Sequence, residues 1–170
     1  MNTITVAGSA LTDLVKTIDA YPQRGMLTDI TAVRQSVGGC VPNTAVDLKR
    51  LAPEFCVTAA GRVGKDAFGA YLCERLAREG VRTAFVEDEK RSTGFTDVMT
   101  LKNGERTFFH ARGANAAFSA DDLPEEALDC DLFHLGYLLL LDRLDAADAE
   151  YGTAAARDRK STRLNSSHSI

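Results

Sequence analysis

The chain has 170 residues, 45% of them hydrophobic, with 20 Lys and Arg against 24 Asp and Glu and a net charge of -4. That is enough chain for one core, and the acidic balance argues against general nucleic-acid affinity, which calls for a basic surface. No apolar run approaches the ~20 residues needed to span a bilayer.

Taken from the N-terminus, Met1–Val6 lacks a basic region leading into a long apolar one and does not read as a signal peptide. Residues 3–7 read as a buried strand. Asp29 to Val37 alternates as a strand. A helix starting near Pro42 runs through residues 44–51 and stops near Pro53. Residues 55–60 form a second buried strand. Asp66 is a plausible N-cap for an amphipathic helix carrying Phe68, Tyr71, Leu72, Leu76 and Ala77, ended by Gly80. Residues 81–86 form a third strand. Residues 95–101 and 106–112 alternate as strands about Asn103-Gly104, a strong hairpin signal. Residues 131–135 are a further strand. A helix follows from about Arg143, with Leu141, Leu144, Ala147, Tyr151 and Ala154 at helical spacing. This βαβ rhythm predicts an α/β fold, a mostly parallel sheet flanked by helices. The alternating segments do not fit that sheet and form either a small β lid or an edge hairpin.

The four cysteines, Cys40, Cys56, Cys73 and Cys130, show no CxxC spacing, as expected of reduced thiols in a cytoplasmic protein. Cys56, Cys73 and Cys130 sit in apolar sequence and read as small core residues. No cluster has metal-ligand spacing.

The richest stretch runs Gly38-Gly39-Cys40-Val41-Pro42-Asn43. Glycine lets backbone approach a ligand closely. Pro42 suits the first helical position. Free N–H groups at such a helix start favour an oxygen-rich or anionic ligand, and the Asn43 amide can both donate and accept. Asp13 follows a strand end, where open α/β sheets bind ligands. Its carboxylate either accepts from two hydroxyls of a ligand or caps the next segment. His110 and Arg112 read as solvated residues with the option of approaching a ligand, and His134 as packing beside the sheet.

Together, Gly38-Gly39 with Asn43 and the run from Gly61 to Gly69 resemble the first signature of the ribokinase-like (PfkB) carbohydrate kinases. Residues 6–13, the Pro22–Gly25 element, Thr93-Gly94 and Gly113-Ala114-Asn115 resemble further family elements in the same order, over roughly residues 3–141. The resemblance implies a ribokinase-like fold with a β lid from segments of about 14–37 and 92–113. It assigns Asp13, Gly38, Gly39, Asn43 and Asn115 to substrate binding. It implies ATP and Mg2+ as cofactors of the full-length enzyme, a sugar or nucleoside as substrate, and a homodimer formed through the lid. Cys40 stands where many relatives carry a lysine, and Leu11 replaces a polar residue common in the ribokinase branch; both departures weigh against ribose.

The family's second half carries a Gly-Ala-Gly-Asp motif with the catalytic base, and no such motif occurs here. Residues 1–158 are therefore expected to be the N-terminal part of a kinase domain, inactive alone, with the C-terminal half missing. The basic, serine-rich residues 159–170 are expected to be a disordered or foreign tail. An unpaired sheet edge, an uncovered apolar face and exposure of Leu138–Leu141 would accompany such a break. The alternative is a non-catalytic sugar- or nucleoside-binding module. A nicotinamide-dependent oxidoreductase fits poorly, because Gly8-Ser9-Ala10 lacks GxGxxG spacing.

Overall fold

The computed structural model describes residues 2–160. Residues 161–170 of the expected tail lie outside the described residues. In chain order the elements are β1 (Thr3–Gly8), β2 (Leu11–Ile18), β3 (Ile30–Gly38), α1 (Cys40–Leu51), β4 (Cys56–Gly64), α2 (Ala67–Arg78), β5 (Arg82–Asp88), β6 (Gly94–Leu101), β7 (Arg106–Ala111), α3 (Glu125–Leu128), β8 (Leu132–Gly136), α4 (Asp142–Asp145), β9 (Ala147–Asp148), β10 (Gly152–Thr153) and α5 (Ala154–Lys160).

Two four-stranded sheets organise the molecule. The first has the order β5-β4-β1-β8, and its neighbours all pair in parallel. Parallel strands need helices on their faces. On one face Val6, Val57 and Ala59 pack with Val41, Ala45, Leu72 and Leu76 of α1 and α2. On the other, Ala7 and Ala60 pack with Phe118, Leu123, Leu141, Leu144 and Ala155. That second face is covered by the chain's own later segments, against the expectation that it stays bare. Within the Leu138–Leu141 run, Leu139 is exposed while Leu141 is fully buried.

The second sheet has the order β3-β2-β6-β7. It collects the alternating segments together with β2, which pairs antiparallel with β3 and parallel with β6. β6 and β7 form the hairpin around Asn103-Gly104. Residues 9–13 are not all turn: only Ser9 and Ala10 separate β1 from β2, so Asp13 lies within a central strand.

Other readings change. α1 starts at Cys40, two residues before Pro42, because Gly39 turns the chain with φ 89. Pro42 still falls among the first unpaired N–H positions, where its ring costs no helical hydrogen bond. The continuous helix from Arg143 is absent. The Asp148 carboxylate accepts from the backbone N–H of Glu150 and Tyr151, and Gly152 has φ 82, so the chain turns back between α4 and α5. Local side-chain acceptors of this kind compete with the helix. Cys56 is exposed rather than core, Cys73 is half-buried, Cys130 is buried, and all four cysteines are free. His134 is exposed on β8.

Candidate functional site

Asp66 does what its position predicts and more. One carboxylate oxygen accepts from Gly69 N–H at the start of α2. The carboxylate also accepts from the Thr93 N–H at 2.7 Å and the Thr93 hydroxyl at 2.7 Å. The Thr93 hydroxyl oxygen in turn accepts from Gly64 N–H at 2.9 Å. The entry into β6 is thus tied to the first sheet. These bonds to the charged form hold the Asp66 pKa down against the opposing effect of its burial.

A second tie is Asn115, which is fully buried. Its side-chain oxygen accepts from Ala10 N–H and its NH2 donates to Ala10 C=O, both at 2.9 Å. Asn115 therefore mimics a strand partner at the point where β1 passes into β2. The amide is sealed from solvent and paired with backbone on both sides.

The start of α1 is also occupied. Ser9 C=O accepts from Val41 N–H at 3.1 Å, the Ser9 hydroxyl accepts from Cys40 N–H at 3.4 Å, and Gly39 C=O accepts from Asn43 N–H at 3.4 Å. Pro42 has none to offer. The helix start is not the open row of donors that the sequence suggests.

Asp13, Gly38 and Gly39 do come together. Leu11 pairs with Gly38 across β2 and β3. A Cβ on Gly38 would run into the Asp13 carboxylate, and one on Gly39 would sit 2.6 Å from Ser9 C=O. Only glycine leaves room for that carboxylate at the junction of the two sheets. Asn43 lies one turn along α1, exposed, facing a groove shared with Val37, Val46 and Arg75. It is adjacent to the junction through Gly39, but no hydrogen bond ties its side chain to another described residue.

Asp13 belongs to a cross-strand row: Ser36 on β3, Asp13 on β2, Thr96 on β6 and His110 on β7. Such neighbours point to one face. Phe95, one residue off the row, stacks its ring 5.9 Å from Phe68 of α2. α2 therefore covers the opposite face, and the Asp13 row looks away from it. Thr96 stands directly across from Asp13 in the ladder, and its hydroxyl oxygen is 3.0 Å from His110 Nδ1. Burial pushes the Asp13 carboxyl above the ordinary range, against the pull of Thr96 and His110. Loss of water around the ring, then Arg112, pushes His110 down, against the pull of Asp13. Arg112 itself is paired with Asp142. Thr96 carried no signal in the sequence, because the register joining residues 13, 96 and 110 is not local.

A half-buried carboxylate and a hydroxyl row beside close-packed glycines offer hydrogen bonds to a small polar molecule. Among the described residues no group of three His, Cys, Asp or Glu could hold a metal ion, and no helix is long and apolar enough to cross a membrane.

The model for the pfkB family carbohydrate kinases matches residues 1–166. The chain belongs to that family. It is 33% identical to ribokinase of Bacillus subtilis over 115 residues, which is 68% of this chain and 39% of that protein. A fructokinase from Xylella fastidiosa solved with bound ATP superposes with TM-score 0.70 at 26% identity, over 99% of this chain and 50% of that one. Ribokinase from Giardia lamblia superposes with TM-score 0.72 at 22% identity, over 79% and 44%. This pfkB-family chain thus spans half or less of the length of these relatives.

Proposed function

We propose that this chain is the sugar-holding part of an ATP-dependent carbohydrate kinase. The observation that supports it best is the Asp13 carboxylate, set into the space left by Gly38 on the face that α2 leaves uncovered. A carboxylate there accepts hydrogen bonds from neighbouring hydroxyls of a sugar or nucleoside, and Asn43, exposed nearby, adds a donor and an acceptor. Gly39 keeps the backbone close to the same space. Asn115 acts through Ala10, fixing the crossing from which Asp13 projects.

The second sheet serves as the lid. Holding the sugar in place and excluding water lowers the barrier to phosphoryl transfer and protects it from hydrolysis. ATP, bound in the Xylella fastidiosa relative, supplies the phosphoryl group. The base and the ATP pocket belong to the part of the family fold that this chain's matches do not reach. By this reading the 170-residue chain alone does not phosphorylate sugars. Its free cysteines suit a reducing cytoplasm.

A homodimer through the second sheet is part of the same proposal. Ile30, Val33 and Phe109 stand exposed on the face opposite Asp13, and exposed apolar clusters of this kind mark contact surfaces.

Titration of the purified chain with D-ribose and D-fructose, followed by ligand-observed NMR, tests the sugar site. Asp13→Ala removes charge-assisted hydrogen bonds worth roughly 1.5–3 kcal/mol, so binding falls about 10- to 150-fold. Binding that survives Asp13→Ala unchanged would overturn the assignment, and ATP-dependent phosphorylation by the chain alone would overturn its inactivity.

A further inference from the structure

We propose that Asp66 is a positioning residue for Asp13, acting through a clasp of hydrogen bonds that runs from the start of α2 to the crossing into β2. Its consequence for ligand binding rests on the sugar reading above; the placement of Asp13 is tested without any sugar.

The two oxygens of Asp66 meet more donors than a cap requires. Oδ1 accepts from Gly69 N–H at 2.9 Å and from the Thr93 hydroxyl at 2.7 Å. Oδ2 accepts from Thr93 N–H at 2.7 Å. Capping α2 uses only the bond from Gly69. The others hold Thr93, which is fully buried. The Thr93 oxygen also accepts from Gly64 N–H at 2.9 Å. A Cβ on Gly64 would strike Thr93 N, and one on Gly69 would sit 3.0 Å from the Thr93 hydroxyl. These two glycines therefore make room for Thr93 at the end of β4 and the start of α2.

From this point two routes lead to Asp13. Thr93 continues into Gly94, which pairs with Leu11 at the start of the β6–β2 ladder. Its neighbour Ser92 accepts at C=O from Ala114 N–H at 2.8 Å. The next residue, Asn115, holds both backbone groups of Ala10 at 2.9 Å, and its amide occupies the space that a Cβ on Gly94 would need. Both routes reach the chain just ahead of Asp13. Contiguous hydrogen-bonded networks of this kind can carry coupling between separated residues.

The clasp needs a carboxylate. Against its desolvation, the N–H groups of Gly69 and Thr93 hold Asp66 in the ionised form, which only accepts. Serine caps helices as well as aspartate does, but its single oxygen cannot serve both Gly69 and Thr93 in the same way. Asp66→Ser thus keeps the cap and opens the clasp. Thr93→Val opens it from the other side and leaves Asp66 in place.

The deciding measurement is the 13C NMR titration of the Asp13 carboxyl in the folded chain, with amide exchange read alongside. In the wild type, burial sets its pKa above the ordinary value of about 3.9. Asp66→Ser and Thr93→Val should bring it down toward that value, and Thr93→Ser, which keeps the hydroxyl, should restore it. Thr93 N–H should exchange faster in Asp66→Ser while Gly69 N–H stays protected. A merely structural Asp66 would lower Tm and leave the Asp13 titration of the folded protein unchanged; that result overturns the proposal. Loss of Gly69 protection in both variants places the effect in α2 and also overturns it. D-ribose and D-fructose should bind the two opened variants about 2- to 30-fold more weakly, and unchanged binding by both overturns the proposal as well. A wild type that binds neither sugar overturns the sugar reading, and the Asp13 titration then decides the proposal alone.

Discussion

The two sheets solve opposite problems. The parallel sheet is closed on both faces: Val6, Val57 and Ala59 are at most 1% exposed beneath the helices, and Ala7 and Ala60 are fully buried beneath the later segments. The second sheet is covered by α2 over only part of one face, and it exposes Val33 at 64%, Phe108 at 61% and Phe109 at 56%. The first stores stability in apolar burial. The second places polar groups, Asp13 and Thr96 among them, where burial costs free energy unless a partner or ligand satisfies them. Separation of this kind is what a binding site needs: a rigid base and a surface whose groups are incompletely matched.

The sharpest way to break the comparison is at the base. Arg62 on β4 donates to Asp88 at 2.9 Å and to Asp122 at 2.6 Å, and Asp88 is 3% exposed. Removing one partner of a buried pair costs about 3–5 kcal/mol, so Arg62→Ala should cause the largest loss of stability in urea. Asp88 is desolvated, yet Lys90 and Arg91 N–H and the Arg62 guanidinium hold its carboxyl well below the usual range. A carboxyl whose folded pKa is depressed contributes stability above its unfolded pKa of about 3.9. That contribution is lost as pH falls below it. The chain should therefore lose stability steeply below about pH 4, and Arg62→Ala should flatten that loss. Unchanged urea midpoints between pH 7 and 3 would count against the network.

Next in size is the tie between the sheets. Asn115→Ala leaves Ala10 N–H and C=O buried without partners, a cost of about 1–3 kcal/mol. The expected signature is faster amide exchange at Ala10 and along β2, with β4 and β5 little changed. Uniform acceleration over both sheets would mean that Asn115 supports the whole fold rather than the crossing.

Asp13 should separate stability from binding. Its folded pKa is raised, so the protein is less stable as pH rises from the unfolded pKa through the folded one. Asp13→Asn removes that handicap. We expect a modestly higher Tm at pH 7, no difference near pH 3, and weaker sugar binding at pH 7. A lower Tm at pH 7 would mean that the carboxylate is structural.

The smallest effect on folding is expected at the apolar face of the second sheet. Val33→Lys should change stability by less than about 0.5 kcal/mol. It should shift sedimentation toward the monomer if two copies meet there, and identical sedimentation of wild type and variant would remove that surface from the proposal.

The sequence carried what is local. The buried strands of the first sheet announce themselves as short apolar runs, and Asp66 announces itself as a cap because its hydrogen bond reaches only to Gly69. The glycine pair and Asp13 stand out because strand ends and missing side chains have chemical meaning wherever they occur. Periodicity failed between Arg143 and Ala154: the apolar spacing suits a helix, and Leu141, Leu144 and Ala154 are indeed buried. The turn through Asp148 and Gly152 buries them from two short helices instead. What only the tertiary structure decided is register. Asp13, Thr96 and His110 are separated by 83 and 14 residues, and β2 must pair with β6 before they share a face. The same holds for Asn115, whose amide meets the backbone of Ala10, 105 residues away, at both ends. Side-chain chemistry is written residue by residue, but which groups satisfy one another depends on long-range pairing that no local pattern encodes.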